Sequence, residues 1–167
     1  YRLSNSFLNI QELFNKKIII YIDTENSKIL SFTKEIMNND NLNIALVHDW
    51  YLRKSIGGAE KVTLVIDEFL SNNYSVPDLF SLTENISHKN KNIFGNRKIE
   101  TSLIQKLPFG RDGVQKYLPI IPFAIEQLDL SKYELIISSS HIAAKGVLSS
   151  PDQLHISYIH TPMRYAW

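Results

Sequence analysis

The chain has 167 residues, of which 44% are hydrophobic and 21% are charged, and its formal net charge is +1. This composition is typical of a globular chain with one main core, which would bury roughly 70% of the surface of its unfolded form. A net charge so near zero argues against a dedicated nucleic-acid binder. The absence of cysteine excludes disulfides and thiolate metal sites.

Residues 1–41 form the first predicted unit, an N-terminal appendage of unknown role. Within it, Lys17 to Asp23 predicts a buried strand and Ser27 to Met37 predicts a helix. The polar asparagine-rich run that follows marks a boundary, so residues 42–167 form the main domain. Because the chain begins with Tyr1 rather than Met, we expect it to be a fragment.

A strand, a glycine loop and a helix follow one another between Asn43 and Leu70. Asn43 to Val47 is an apolar run of strand formers, and we expect His48, Asp49 and Trp50 to end it. The glycine pair Gly57-Gly58 precedes a pattern of helical period. The expected apolar face of this helix is Val62, Val65, Ile66 and Phe69, with Glu60, Lys61, Asp67 and Glu68 on the polar face.

The glycine pair has two interpretations. Paired glycines allow positive φ and a close approach of the backbone to a ligand, and the N-terminus of the following helix attracts anions. The dinucleotide fingerprint GxGxxG needs a third glycine, which Ser55 to Glu60 lacks. For a bare glycine pair, a tight strand-to-helix connection is the better interpretation.

The middle of the chain predicts short elements. Asp78 to Thr83 is a candidate strand, and Ile99 to Leu103 is a strand or a turn. Gln105 to Leu130 mixes basic and aromatic residues and is divided by Pro108, Pro119 and Pro122. Either this segment is an amphipathic surface that contacts anionic membrane, or it is a helical excursion whose apolar residues complete the core.

The last part of the chain predicts two more strands, Tyr133 to Ser139 and Leu154 to Ile159. We expect Ser139 or Ser140 to cap a short helix that ends at Lys145-Gly146. A nucleophilic serine is rejected, because no GxSxG elbow is present. A further helix is expected to start in Met163 to Trp167.

The alternation of strands and helices predicts an α/β fold, a Rossmann-like parallel sheet with helices on both faces. In such a sheet, polar residues at the carboxyl ends of strands face the ligand crevice. His48 and Asp49 after the first strand and His160 after the last strand have this position. A lone histidine at a strand end is more often structural than catalytic.

Three stretches resemble, in this order, the N-terminal domain of family 4 retaining GT-B glycosyltransferases, particularly bacterial mannosyltransferases of surface-polysaccharide assembly: HDWYLRKSIGGAEKV, LPIIPFAIEQLDLSKYELIISSSHIAAKGV and PDQLHISYIHTPMRYAW. The resemblance covers residues 43–167. It implies an acceptor-side domain, whose partner domain binds the nucleotide sugar and carries paired glutamates. That C-terminal donor-binding domain is absent from this sequence, so we expect the fragment to be inactive alone.

The resemblance also implies roles for individual residues. Gly57 and Gly58 match the loop that approaches the donor diphosphate, and His160 matches the cleft histidine that contacts the transferred sugar. His141 lies in a family motif, but helix capping and packing explain it equally well. Acceptor or cleft contacts are implied for Asp49, Trp50, Arg164 and Tyr165.

The implied activity is retaining transfer of a hexose, with mannose expected, from a nucleotide sugar such as GDP-mannose to a glycan or lipid-linked acceptor. Neither a metal nor a cofactor is expected, and no nucleic-acid partner. The expected location is the cytoplasm, with peripheral contact at the inner face of the cell membrane. The alternative is a non-catalytic Rossmann-like binding or scaffold module, and a dehydrogenase is disfavoured by the missing third glycine.

Overall fold

The computed structural model of the protein describes residues 42–51, 57–86 and 93–160. The predicted appendage, residues 1–41, lies outside these ranges, as do Ser55 and the closing segment with Arg164 and Tyr165. The expectations for those residues are therefore untested.

A five-stranded sheet forms the centre of the described chain, with strand order β3-β2-β1-β4-β5. All four strand pairings are parallel. The predicted Rossmann-like α/β sheet is thus confirmed at the level of sheet architecture. The strands are β1 (Ile44–Tyr51), β2 (Asp78–Glu84), β3 (Ile99–Thr101), β4 (Leu135–Ser140) and β5 (Leu154–Ile159).

The strand order reverses between β1 and β4. The chain steps outward from β1 to β2 and β3, and then crosses to the other side of β1 to form β4 and β5. In the shared register, His48 of β1 lies opposite Ser139 of β4. The carboxyl ends of β1 and β4 therefore flank the switch point where open α/β sheets bind ligands.

Helices cover both faces of the sheet, as predicted. Helix α1 (Gly58–Asn73) packs on one face, where Ile66 and Leu70 join a core with Ile44 and Leu46 of β1. The other face is covered by a short helix α2 (Ile121–Glu126) and three 3-10 helices, namely Leu103–Lys106, Val114–Ile120 and Ala144–Gly146.

The prediction that His48, Asp49 and Trp50 end the first strand is wrong. Strand β1 continues to Tyr51, and all of its eight residues are buried. Polar side chains enter this central strand because neighbouring segments of the chain supply hydrogen bonds to them.

The predicted apolar face of α1 is wrong at two positions. Val65 is 51% exposed. Asp67, expected on the polar surface, is buried and forms a salt bridge with Arg97. Thr63 and Leu70 take part in the buried face instead. The real face is rotated because it accommodates a polar contact with β1 and β4, which apolar periodicity does not reveal.

The predicted serine cap after β4 is also wrong. The helix there is a single 3-10 turn, Ala144–Gly146, and no side chain of its N-cap residue caps it. The N–H group of its first residue, Ala144, and those of the three residues before it donate to the carboxylate of Asp49. The expected end of this helix at Gly146 is confirmed.

Most apolar residues of the proline-divided segment complete the core. Val114, Ile121, Ile125 and Leu128 are buried. Phe109 and Phe123 do not join them, since they are 72% and 58% exposed. In the described ranges, none of the helices has the length and apolarity to cross a bilayer.

Candidate functional site

The candidate site is the sheet edge where the carboxyl ends of β1, β4 and β5 meet. Polar side chains from three parts of the chain converge there: His48 and Asp49 of β1, Ser139 and His141 at the end of β4, and His160 after β5. The rings of His48 and His160 lie 6.4 Å apart between centroids, as do those of His48 and His141. The structure therefore brings together polar groups that the sequence only places toward the carboxyl ends of separate strands.

Asp49 holds the loop after β4. Its carboxylate accepts hydrogen bonds from the backbone N–H groups of four successive residues, at 2.6–2.9 Å, and a weaker one from the hydroxyl of Ser140 at 3.3 Å. The four donors are His141, Ile142, Ala143 and Ala144. A carboxylate with so many donors is an internal anion that orders the loop.

The pKa of Asp49 is lowered below its ordinary value. Burial alone would raise it, but the His141 ring and the N–H donors of Ala144 and His141 outweigh burial by stabilising the charged form. His141 Nδ1 lies 2.7 Å from Asp49 Oδ2, an ion-pair distance, although its geometry does not satisfy a hydrogen bond. Asp49 is 0% exposed. Its observed contacts are thus with the protein, and the implied contact with an acceptor is untested.

Trp50 lies beside the same loop. It is buried, belongs to the core on the α2 face, and meets the ring of His141 edge-on at 4.7 Å between centroids. The implied acceptor contact of Trp50 is likewise untested. Its packing in the core stabilises the fold.

His48 is fully buried between β4 and α1. Its Nδ1 lies 2.8 Å from the carbonyl oxygen of Ser139 and 3.2 Å from the hydroxyl oxygen of Thr63. Burial lowers the pKa of His48, although the neighbouring Asp49 charge opposes the shift. Within the described ranges its Nε2 has no hydrogen-bond partner.

His160 is half-buried and lies at the mouth of the site. Its backbone N–H donates to the carbonyl oxygen of Ser140 at 2.9 Å, which extends the β4–β5 ladder by one bond. Its Nε2 lies 2.8 Å from Ser139 Oγ. Its ring also contacts Tyr158, at 4.8 Å between centroids. Backbone and ring are therefore both anchored.

Burial lowers the pKa of His160 to about 4, and the neighbouring His48 and His141 rings act in the same direction. The ring is consequently neutral near pH 7. A neutral imidazole donates one hydrogen bond and accepts another, and it carries no charge with which to attract a phosphate.

Helix α1 begins at the predicted glycine pair, with Gly57 as its N-cap residue. Gly57 has φ −78°, so the expected positive φ is not used there, and in the described ranges no side chain caps the helix. A Cβ added to Gly58 would meet nothing within 4 Å, whereas one added to Gly57 would lie 2.7 Å from the Glu60 carboxylate. No internal contact in the described chain therefore requires glycine at position 58. Glu60 places negative charge in the first turn, which opposes an anion at this end.

The sequence did not predict two features of the site. These are the presence of Thr63 and the contacts of the Ser139 hydroxyl. Thr63 Oγ1 donates to Ser139 Oγ at 2.9 Å and also lies 3.0 Å from the carbonyl oxygen of Ala59. The only sequence signal was a threonine on the inner face of a helix, where a hydroxyl needs a partner.

Elsewhere in the described ranges, His155 contacts Ser138 Oγ at 2.9 Å and Ser157 Oγ at 3.3 Å. Since no carboxylate joins this trio, it has the character of a satisfied polar cluster. A separate cavity, lined by residues that include Pro77 and Glu100, lies at the amino ends of β2 and β3, away from the histidines. No group of three or more histidine or acidic side chains in the described part has the arrangement of a metal site.

Comparisons with protein-family models, with curated proteins and with solved structures each found no match for this chain. The class that the fold and the site define is an α/β protein with a parallel Rossmann-like sheet and a polar site at its switch point.

Proposed function

We propose that this chain is the acceptor-side domain of a retaining GT-B glycosyltransferase. In the intact enzyme a hexose, with mannose as the first to test, passes from a nucleotide sugar to a hydroxyl of a glycan or lipid-linked acceptor. The family resemblance of the sequence suggests this reaction, and the position of the polar site at the switch point supports it.

The observation that carries the proposal is the meeting of α1 and His160 at one side chain. Thr63 of α1 and His160 both contact Ser139 Oγ. Because a helix rises about 1.5 Å per residue, Gly58 lies only about 8 Å along the axis from Thr63. A sugar diphosphate whose phosphates approach Gly58 would thus hold its sugar within reach of His160.

The division of labour follows from the charges. The first N–H groups of α1 would approach the diphosphate, but the charge of Glu60 weakens their attraction for it. Cationic groups of a donor-binding domain would therefore carry most of the phosphate recognition. The neutral His160 would hydrogen-bond an oxygen of the sugar or acceptor. The residues of this chain would thus orient the substrates.

A peripheral membrane contact, in the cytoplasm, forms part of this proposal. Phe109 is 72% exposed with φ +61°, a conformation that a non-glycine residue adopts at a cost of about 1 kcal/mol. Lys116 Nζ lies 4.6 Å from the centre of its ring. An exposed aromatic ring beside a cation suits an anionic lipid interface, where a lipid-linked acceptor would be found.

The alternative is a non-catalytic binding or scaffold module. It is favoured by the burial of Asp49, which keeps the only carboxylate among the predicted site residues away from a ligand. Isothermal titration of the gene product that contains this chain with GDP-mannose, and separately with NAD, tests the proposal. Binding of GDP-mannose with turnover supports the transferase. Binding without turnover to any acceptor tested favours the module, and binding of NAD alone would remove the transferase proposal.

A further inference from the structure

Two buried hydroxyls lie behind the His160 ring and connect it to α1. Ser139 Oγ is 2.8 Å from His160 Nε2, and Thr63 Oγ1 is 2.9 Å from Ser139 Oγ. Thr63 and Ser139 are both 0% exposed. The protein itself therefore holds the inner nitrogen of the ring. In the described part of the chain, Nδ1 has no such partner, so it is the nitrogen available to a ligand.

The position of one hydrogen follows from the neighbouring His48. Its Nδ1 lies 2.8 Å from the carbonyl oxygen of Ser139, and a carbonyl oxygen only accepts. Nδ1 of His48 must therefore carry a hydrogen. Thr63 Oγ1, 3.2 Å from the same nitrogen, therefore cannot donate its hydrogen to it.

The hydrogen of Thr63 then has two acceptors within reach, the carbonyl oxygen of Ala59 and Ser139 Oγ. The shorter of these contacts is to Ser139, at 2.9 Å against 3.0 Å. When Thr63 donates to Ser139, the hydrogen of Ser139 is free to point at His160 Nε2. With this donation, the direction of hydrogen bonding runs from Thr63 to Ser139 to His160.

We propose that Thr63 and Ser139 are positioning residues that make His160 a hydrogen-bond donor: they occupy Nε2 as an acceptor and so place the ring hydrogen on Nδ1. A ring in this tautomer donates to an oxygen that gains negative charge, and it does not remove a proton from the acceptor hydroxyl. The nature of that oxygen rests on the proposed function, whereas the tautomer does not.

Nitrogen NMR of the full chain with ¹⁵N-labelled histidine tests the tautomer directly, because protonated and bare ring nitrogens have well-separated chemical shifts. His160 signals are assigned from their loss in His160→Gln. The expected wild-type spectrum at pH 7 shows Nδ1 protonated and Nε2 bare. A wild-type spectrum with Nε2 protonated would overturn the proposal.

Variants then identify the residues responsible. In Ser139→Ala and Thr63→Val, the tautomer with the hydrogen on Nδ1 should no longer be the dominant form of His160, and the change should be larger in Ser139→Ala. Thr63→Ser should keep this tautomer, because the hydroxyl is retained. Ser138→Ala is the matched control, since Ser138 is equally buried on β4 but contacts His155. An unchanged His160 tautomer in folded Ser139→Ala would contradict the proposal.

The outcome is separable from that of the proposed function. If the tautomer is as expected but the gene product transfers no sugar, the positioning role of Thr63 and Ser139 stands and the transferase proposal fails. If sugar is transferred and His160 carries its hydrogen on Nε2, the transferase proposal stands and the tautomer proposal fails.

Discussion

Asp49 Oδ1 lies 2.6 Å from the backbone nitrogen of Ala144, although the two residues are 95 positions apart in the chain. This contact is one of four that join the end of β1 to the loop after β4. One buried carboxylate therefore joins the end of β1 to the loop that carries His141.

Removal of that carboxylate should strongly destabilise the fold. Asp49→Ala leaves four N–H groups without their acceptor, and we expect a loss of about 3 kcal/mol or more in the free energy of unfolding. Urea denaturation followed by circular dichroism measures the change. Asp152→Ala, at an exposed turn, should stay within about 0.5 kcal/mol of wild type. Equal stabilities of the two variants would show that the Asp49 contacts contribute little.

Gly58→Ala should separate the structural role of the glycine from its functional role. An added Cβ meets nothing within 4 Å, so the variant should fold as well as wild type, or be more stable by about 0.5 kcal/mol. If the backbone at Gly58 approaches the donor diphosphate, sugar transfer by the intact enzyme should fall roughly tenfold or more, because a small misplacement is costly.

Gly110→Ala is the crowding control for this experiment. Its Cβ would lie 1.8 Å from the carbonyl oxygen of Ile104, so this variant should be clearly destabilised. A Gly58→Ala enzyme with unaltered stability and unaltered transfer would leave the glycine pair as a plain strand-to-helix connection.

The stability of the protein should fall between neutral and mildly acidic pH. His48, His155 and His160 all have lowered pKa values. The unfolded chain therefore binds more protons than the folded chain below the ordinary value of 6.5, so stability decreases as the pH falls. For His160 the window runs from 6.5 down to its folded value of about 4.

Urea denaturation at pH 7 and pH 4.5 measures this dependence. His160→Gln should lose less stability between the two pH values than wild type does, because one of the groups that titrates is gone. Asp49 contributes a separate loss below its ordinary value of 3.8, since its folded pKa is lowered and its stabilising charge persists until it is protonated. Identical pH dependence in wild type and His160→Gln would refute the His160 part.

Membrane contact should depend on the exposed aromatic residues. The double variant Phe109→Ala, Phe123→Ala should lose roughly tenfold in partitioning to anionic liposomes at low salt, because two apolar side chains no longer enter the interface. Cosedimentation measures the bound fraction. Leu148→Ala removes an apolar side chain that is 61% exposed outside this segment, and it should bind as wild type does. Equal cosedimentation of the double variant and wild type would count against the membrane contact.

The sheet was predictable from the sequence and much of the site was not. Apolar runs revealed β2 and β5 almost to the residue, because buried strands carry their signal locally. Periodicity failed where a contact joins residues that are far apart in the sequence. The hydrogen-bond donors to Asp49 lie more than 90 positions away from it, and the carbonyl oxygen that contacts His48 is equally distant in the sequence. A polar residue in a central strand looks like a strand end until its partner is known.

The position of His160 was predicted from its place after β5, since parallel strands bring their carboxyl ends together. Its anchoring was not. Ser139 looked like a helix cap because serine before a helical pattern usually is one, and Thr63 looked like an ordinary helix residue. Only the packing of α1 on β4 places the two hydroxyls in contact.

The most direct test of the proposed function is sugar transfer from GDP-mannose by the intact gene product, with wild type and His160→Ala compared in parallel. The proposal predicts retaining transfer by wild type and a loss of roughly 10²-fold in turnover for His160→Ala, because a donor to the reacting region is removed. His155→Ala, which alters a partly buried histidine of β5 that contacts Ser138 and Ser157, should stay near wild type. Unchanged turnover in His160→Ala would contradict the proposed site, and absence of transfer by the wild type would contradict the proposed reaction.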